Sequence, residues 1–238
     1  MRITTLNDLG KLDRGKSKFR PRNDESLYGG NYPFIQTSDI KNSILNVTHY
    51  SDTYNEKGLS QSKLWEPGIL LITIAANIAE TGILGIKACF PDSIVAFQAY
   101  KSKSTNLFVK YLFEILKLEF RNFSRGTTQD NLSLEKLKSF KFQVPDFPIQ
   151  QKIAAILSVF DELIENNRRR IEILEEQAQL LYREWFVEFR FPGHEKVKMI
   201  YSELGKIPEG WKTDILKNVC TKINSGGTPR RDNNKYWA

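Results

Sequence analysis

The feature that most constrains this chain is a stretch of 43 residues, from Pro148 to Arg190, that contains no Gly and no Pro after its first residue. Proline is well accommodated at the first position of a helix, and the Phe191-Pro192-Gly193 that follows is a typical helix stop. Apolar residues recur along the stretch at alternating steps of four and three, as in the seam of a coiled coil. The pattern predicts a single long α-helix over residues 148–190.

The predicted seam starts at Ile149 and includes one polar position, Asn167. Two consecutive steps of four meet at Asn167, a stutter that locally unwinds a supercoil. At ~1.5 Å per residue the helix would be roughly 65 Å long, so we expect it to need a partner helix. The alternative is a core-facing helix of a monomer, but globular helices usually span only about 8–20 residues. The residues expected at a dimer interface are Ile153, Ile156, Phe160, Leu163, Asn167, Ile171, Leu174, Ala178, Leu181 and Trp185.

The net positive charge of the chain lies outside this helix. The formal net charge is +7, and the excess of Lys and Arg falls in residues 1–147 and 191–238. Residues 11–22 crowd six basic side chains around a single acid, Asp13, and their Gly and Pro predict a loop. A basic loop beside a folded core is typical of nucleic-acid binding, and the alternative is an ordinary solvated loop. The residues expected near phosphates are Lys16, Lys18, Arg20 and Arg22.

Two polar segments in the first 147 residues are predicted to lie nearer the bases of a bound nucleic acid. The first is a polar segment after a short predicted strand, and the second is a loop between two predicted helices. Such side chains supply donors and acceptors that match the edges of bases. The residues are Gln36, Thr37, Ser38, Arg125, Thr128 and Gln129.

Residues 1–147 alternate between short apolar runs and turns, a pattern that predicts a compact α/β or α+β module. Strands are predicted at residues 32–35, 44–47, 69–75, 83–90, 94–100 and 140–144. Helices are predicted at residues 106–121, with an apolar face that would cover the sheet, and at residues 134–138.

Several functional classes are disfavoured by what the sequence lacks. There is no G-x-x-x-x-G-K-[ST] phosphate loop, no G-x-G-x-x-G dinucleotide turn and no G-x-S-x-G nucleophile elbow. The two cysteines and two histidines do not fall at zinc-site spacings, so we expect no metal, no cofactor and no catalytic residue in this chain. No apolar run approaches the ~20 residues of a membrane-spanning helix, and no signal peptide is evident, so we expect a soluble, cytoplasmic protein.

An internal repeat relates the two ends of the sequence. Residues 6–15 return as residues 216–226 with one insertion, and residues 21–24 return as residues 229–232. The order and spacing agree over both pieces. We therefore expect residues 191–238 to contain a linker and the incomplete start of a second module, at most partly ordered as a domain.

Three segments make the chain resemble the specificity subunits of type I restriction-modification systems. They are residues 33–40 (PFIQTSDI), residues 126–137 (GTTQDNLSLEKL) and residues 149–154 (IQQKIA) at the start of the long helix. Residues 207–211 (IPEGW) resemble the beginning of that family's second target recognition domain. The resemblance covers essentially the whole chain.

The resemblance implies a target recognition domain that binds double-stranded DNA, a long spacer helix and no active site. Family members recruit methyltransferase subunits, which bind S-adenosylmethionine and methylate adenine, and a restriction subunit in the full complex. They usually contain two recognition domains and two antiparallel helices, whereas this sequence stops early in the second domain. It is either a half-subunit, which would restore the full arrangement as an antiparallel homodimer or pair with another specificity chain, or a truncated fragment. The alternative function is a coiled-coil dimerisation protein whose basic module binds RNA or another protein.

Overall fold

The computed structural model describes residues 1–21, 23–124 and 132–227, and the chain divides into two compact units, residues 1–170 and 171–238. The first unit combines short strands with short helices and the start of one long helix. Its strands are β1 (Arg2–Thr4), β2 (Gly10–Arg14), β3 (Tyr28–Phe34), β4 (Asn46–Val47), β5 (Asp52–Tyr54), β6 (Leu70–Thr73), β7 (Thr81–Leu84), β8 (Ile94–Ala99) and β9 (Phe142–Val144). Its helices are α1 (Leu6–Leu9), α2 (Thr37–Asn42), α3 (Glu56–Ser60), α4 (Asn106–Ser124), α5 (Leu134–Ser139) and the long α6 (Phe147–Tyr182), with a 3₁₀ turn at Glu25–Leu27.

A five-stranded sheet in the order β2-β8-β6-β7-β4 forms the centre of this unit. The pair β4–β7 is parallel and the other neighbours are antiparallel. Successive side chains of a strand point to opposite sides of a sheet, and here both sides are buried. Leu70 and Ile72 of β6 enter a core shared with α1, α4 and α5, whereas Leu71 enters a second core shared with α2.

Two smaller sheets complete the unit. Strands β1 and β9 pair antiparallel, which brings the first residues of the chain beside the segment that leads into α6. Strands β3 and β5 pair antiparallel, and Phe34 and Tyr54 stack with ring centres 4.1 Å apart in a small third core. The predicted mixed α/β module followed by one long helix is therefore confirmed.

Most predicted elements occur near their expected positions, but the strand predicted at residues 83–90 is wrong in extent. Strand β7 ends at Leu84, after which Ala88 forms an isolated bridge with Trp65 and Cys89 forms one with Phe34. Ala88 and Cys89 are nevertheless buried. The apolar residues of this segment, which Gly85 and Lys87 interrupt, thus indicated burial, and a pattern of apolar residues alone does not distinguish burial from strand pairing.

The long helix begins where predicted and ends earlier than predicted. Helix α6 stops at Tyr182 and passes into a π-helical turn at Arg183–Val187 instead of continuing to Arg190. Phe189 then takes a left-handed conformation with φ of 55°, and Arg190 folds back to bind the Glu184 carboxylate at 2.5 and 2.7 Å. No Gly or Pro marks this ending, so the sequence did not predict it.

The second unit contains the end of α6, a 3₁₀ turn at His194–Lys196, the antiparallel hairpin β10 (Met199–Ser202) and β11 (Gly205–Pro208), and α7 (Leu216–Val219). Trp211 packs against three phenylalanines of the segment that follows α6, with ring centres 5.4 to 6.0 Å away. These are Phe186, Phe189 and Phe191.

Helices α1 and α7 are each four residues long and begin at the two leucines that the internal repeat aligns, Leu6 and Leu216. Their environments differ. Leu6 is completely buried in the first unit, whereas Leu216 is 72% exposed. Over residues 1–21, 23–124 and 132–227, no helix is long and apolar enough to cross a membrane, and no three His, Cys, Asp or Glu side chains lie together as a metal site would require.

Candidate nucleic-acid interface

The basic segment begins as a strand and continues as a loop. Lys11 and Arg14 belong to β2, so the loop predicted from residue 11 is wrong for its first four residues. Both side chains have partners on the strand or beside it: Lys11 lies 2.7 Å from the Asp13 carboxylate, and Arg14 Nε donates to the Asp92 carbonyl at 2.6 Å. The Asp13 contact raises the pKa of the Lys11 ammonium group. The loop itself starts at Gly15.

The backbone of this loop is held by hydrogen bonds from distant segments. Lys16 N donates to the Phe90 carbonyl at 3.0 Å, and the Ser62 hydroxyl donates to the Lys16 carbonyl at 2.7 Å. The Gln61 side-chain oxygen accepts from the amides of Lys18 and Phe19 at 2.5 and 3.0 Å.

Gly15 is required at the base of the loop, because a Cβ there would overlap the Pro91 carbonyl oxygen. The loop backbone is therefore fixed, while the side chains of Lys16 and Lys18 remain exposed. In the part of the chain that the structure describes, neither ammonium group has an acidic partner within salt-bridge distance. Both charges are available to a ligand.

Arg20 has a different environment from these two lysines. Its guanidinium donates to the carbonyls of Ser17 and Phe19 at 2.7 and 2.8 Å and lies 3.5 Å from the Asp92 carboxylate. Arg20 therefore holds the shape of the loop in addition to adding charge. Arg22 lies outside the described residues.

Two further lysines, which the sequence analysis missed, lie beside the loop. Lys57 Nζ is 5.2 Å from the centre of the Phe19 ring, and Lys63, next to Ser62, stands 3.5 Å over the Trp65 ring. No local pattern distinguishes these residues from ordinary surface lysines, because their proximity arises from contacts across about 40 residues of sequence. We refer to the combined set as the basic surface, and its members are Lys16, Lys18, Arg20, Lys57 and Lys63.

The polar segment at residues 36–38 forms the start of helix α2, which was not predicted from the sequence. Gln36 is the N-cap residue, and its backbone amide donates to the Asp39 carboxylate at 2.7 Å, the return bond of a capping box. Thr37 and Ser38 form the first turn, where Ser38 is exposed and Thr37 is half-buried. The polar residues therefore also serve to start a helix.

Gln36 lines a cleft of about 480 Å³ together with the segment that follows the basic loop. Its side-chain amide donates to Asp52, whose carboxylate has further lone pairs and remains an acceptor at the cleft. Acceptors of this kind match the exocyclic amino groups of cytosine and adenine. The other lining residues are Asn23, Glu25, Tyr28 and Gly29. Arg125, Thr128 and Gln129 lie outside the described residues.

Helix α6 is joined to the module along its first half. Gln150, Ala154 and Ser158 are buried on the face toward the module. One turn further, Asp161 accepts from the Tyr111 hydroxyl at 2.9 Å and lies 3.3 Å from Nζ of Lys110, whose side chain is 4% exposed. Burial and the Asp161 hydrogen bond raise the pKa of the Tyr111 hydroxyl, so it remains a donor at neutral pH.

Glu165 forms the last of these contacts and the one of longest range in the sequence. Its Oε1 accepts from the backbone amides of Leu45 and Asn46 at 2.9 and 2.8 Å, and its Oε2 accepts from the Asn46 side chain at 3.1 Å. Two successive amides around one carboxylate oxygen form a small anion-binding concavity. Glu165 thereby ties α6 to the start of β4.

Replacing Glu165 by Ala should destabilise the first unit, because two part-buried amides lose their acceptor at a cost of about 1–3 kcal/mol. We expect a lower midpoint of urea unfolding with an unchanged slope, together with faster hydrogen exchange at Leu45 and Asn46. Glu162→Ala is the matched control, since Glu162 is exposed on the same helix. Unchanged exchange at both amides in Glu165→Ala would contradict this contact.

The fold is that of a protein that carries a DNA specificity domain. A family model described as the type I restriction modification DNA specificity domain matches residues 1–176, and the chain belongs to this family. The type I restriction enzyme MjaIX specificity subunit of Methanocaldococcus jannaschii is 28% identical over 243 residues, which cover 97% of this chain and 54% of that protein. The HindI specificity subunit of Haemophilus influenzae is 36% identical over 230 residues, which cover 93% of this chain and 47% of that protein.

Solved structures show the same fold. The S subunit of a type I restriction-modification system from M. genitalium superposes with a TM-score of 0.56 at 15% identity, over 78% of this chain and 45% of that one. The HsdS subunit from Thermoanaerobacter tengcongensis gives a TM-score of 0.51 at 16% identity, over 78% and 44%. The chain spans about half the length of the curated relatives it matches.

Proposed function

We propose that this chain directs a type I restriction-modification complex to its DNA target and that residues 1–147 bind the duplex. The observation that carries the proposal is the basic surface, where Lys16 and Lys18 present unpaired charges from a loop whose backbone is held by Phe90, Gln61 and Ser62. A preorganised loop loses little conformational entropy when it binds, and neutralising phosphates releases counterions.

The relatives are named specificity subunits, and from this we infer the partners. Methyltransferase subunits that bind S-adenosylmethionine would methylate adenine at the site that this chain selects, and a restriction subunit would join the full complex. The chain contributes recognition and contains no active site or cofactor of its own. Gln36 and the acceptors of its cleft are the described candidates for contact with bases.

We further propose that α6 pairs with the α6 of a second copy as an antiparallel coiled coil. The exposed apolar face of α6 supports this, because Ile156, Phe160, Leu163, Ile171 and Leu174 are all exposed. Two copies would supply two recognition modules and two helices, which is the arrangement the family resemblance implies. Helix α7, at the start of the second repeat, would be the first element of a further module.

Replacing Lys16 and Lys18 by Ala should weaken binding to duplex DNA and reduce its salt dependence. Each lost phosphate contact lowers the slope of log K against log salt by about 0.9, so we expect a reduction of about two. Fluorescence anisotropy of a labelled duplex with this chain measures the effect. The affinity is compared between about 50 and 200 mM salt, a range over which DNA affinity changes strongly.

The matched control for this experiment is Lys101→Ala with Lys141→Ala. It removes the same charge from two exposed lysines that lie just after β8 and just before β9, far from the basic loop in the sequence. We expect it to leave the slope unchanged. Equal slopes for the two double variants would place the DNA elsewhere, and equal affinity for duplex RNA would favour the alternative function of an RNA-binding dimerisation protein.

A further inference from the structure

The spacing of the seam on α6 is symmetric about Asn167. Leu163 lies four residues before Asn167 and Ile171 lies four residues after it. The same holds for every other seam position, at distances of seven, eleven, fourteen and eighteen residues. The remaining pairs within α6 are Phe160 with Leu174, Ile156 with Ala178 and Ile153 with Leu181, whereas the sequence partner of Ile149, Trp185, lies in the π-helical turn beyond α6.

The structure leaves this face of α6 open over the centre of the symmetric region. Leu163 is 53% exposed and Ile171 is 54% exposed, while the buried residues Gln150, Ala154 and Ser158 occupy a different face toward the module. The module therefore covers one side of the helix and packs against Ile153, and it leaves the apolar seam residues from Ile156 to Leu174 exposed.

We propose that two copies of this chain pair through α6 in one antiparallel register, with the two-fold axis passing beside Asn167. This inference rests on the homodimer of the proposed function and specifies its geometry. In an antiparallel pair related by a two-fold axis, a residue that lies n positions before the axis faces one that lies n positions after it. A seam that pairs over its whole length must then have symmetric spacing about the axis, as this one has about Asn167.

The stutter is what makes this register unique. An uninterrupted heptad seam can slip by seven residues and pair again, so it does not define one register by itself. The two consecutive steps of four occur once, at Asn167, and any slip misaligns them. The stutter that the sequence analysis identified is thus the centre of the dimer.

Asn167 adds a chemical preference for the same register. On the axis, the two amide groups face each other, and each can donate one hydrogen bond and accept one. In a slipped register, each amide would face an apolar side chain and lose its partner, which is costly in a buried seam. Single buried Asn residues define register in other coiled coils by this mechanism.

This register also places the two recognition modules. The contacts that α6 makes with its module, from Gln150 to Glu165, all lie before Asn167. In an antiparallel pair centred on Asn167, the two modules therefore lie on opposite sides of the two-fold axis, one toward each end of the helix pair. Only Asn166 separates the last contact from the axis. In this register, the distance between the two modules is determined by how far their contacts on α6 lie from the axis at Asn167.

Disulfide cross-linking tests the register in a Cys220→Ser background, because Cys220 is exposed whereas Cys89 is buried. Asn167→Cys should form a cross-linked dimer on mild oxidation, since the two Cα atoms would lie within the ~4.4–6.8 Å that a disulfide spans. Leu163→Cys alone should remain uncross-linked, because its two copies would be offset by about 12 Å along the axis. Leu163→Cys combined with Ile171→Cys should cross-link. Non-reducing electrophoresis measures all three, and circular dichroism confirms that each variant is folded.

The possible outcomes separate the register from the dimer. A dimer in sedimentation whose Asn167→Cys variant does not cross-link overturns the register alone. Cross-linking of the single Leu163→Cys variant indicates a parallel pair and also overturns it. A chain that sediments as a monomer at tens of micromolar overturns the homodimer of the proposed function, and the register with it.

Discussion

Replacing Leu163 and Leu174 by Asp should convert the proposed homodimer into monomers, the largest effect that we expect from a change to this chain. Each dimer would have to bury four carboxylates against apolar partners, and burying an unpaired charge costs far more than an ordinary helix interface contributes. Sedimentation velocity at micromolar concentrations measures the change. Methylation directed by the protein should be lost together with dimerisation.

The double substitution should leave the fold of each chain intact. Leu163 and Leu174 are 53% and 60% exposed within the single chain, so the new carboxylates remain in water once the partner has left. Ile173→Asp with Leu180→Asp is the matched control. It makes the same chemical change at exposed apolar residues of the same helix that lie outside the seam. A Leu163/Leu174 variant that stays dimeric, or a control that dissociates equally, would rule out the seam as the interface.

Methylation directed by the proposed homodimer should fall on a site with two identical, inverted half-sites. Two copies of one module related by a two-fold axis contact the same bases on opposite strands, as dimeric DNA-binding proteins do. Sequencing of methylated adenines after reaction with S-adenosylmethionine and the partner methyltransferase measures this. Two different half-sites would exclude a homodimeric reader and indicate pairing with a distinct specificity chain.

Inserting seven residues between Glu165 and Asn167 should abolish methylation at the original spacing. The insertion moves each module away from the axis by about 10.5 Å, or about three base pairs of DNA. If the inserted heptad supplies apolar residues at the seam positions, the dimer should persist. Binding of each module to a single half-site should be unchanged, which separates a change of spacing from a loss of recognition. Continued methylation at the original spacing would show that α6 does not set the distance.

The basic loop illustrates how much of the candidate site was predictable. Its charge is local in sequence, so composition alone was enough to single out Lys16 and Lys18 as candidates. The hydrogen bonds that fix the loop come from Gln61, Ser62 and Phe90, which no local pattern connects to it. The same long-range contacts add Lys57 and Lys63 to the basic surface and give Arg20 a role in holding the loop.

The sequence by itself determined the long helix, its seam and the symmetric spacing about Asn167, because helical periodicity and the absence of Gly and Pro are properties of neighbouring residues. It also predicted a mixed α/β module, since buried strands and an amphipathic helix leave distinct patterns. Only the tertiary structure decided where α6 ends, because Trp211, at least 20 residues further along the sequence, packs against Phe186, Phe189 and Phe191 at that point. It likewise decided which face of α6 binds the module. Glu165 resembles any other charged residue of the helix until the fold brings the amides of Leu45 and Asn46 within hydrogen-bonding distance of its carboxylate.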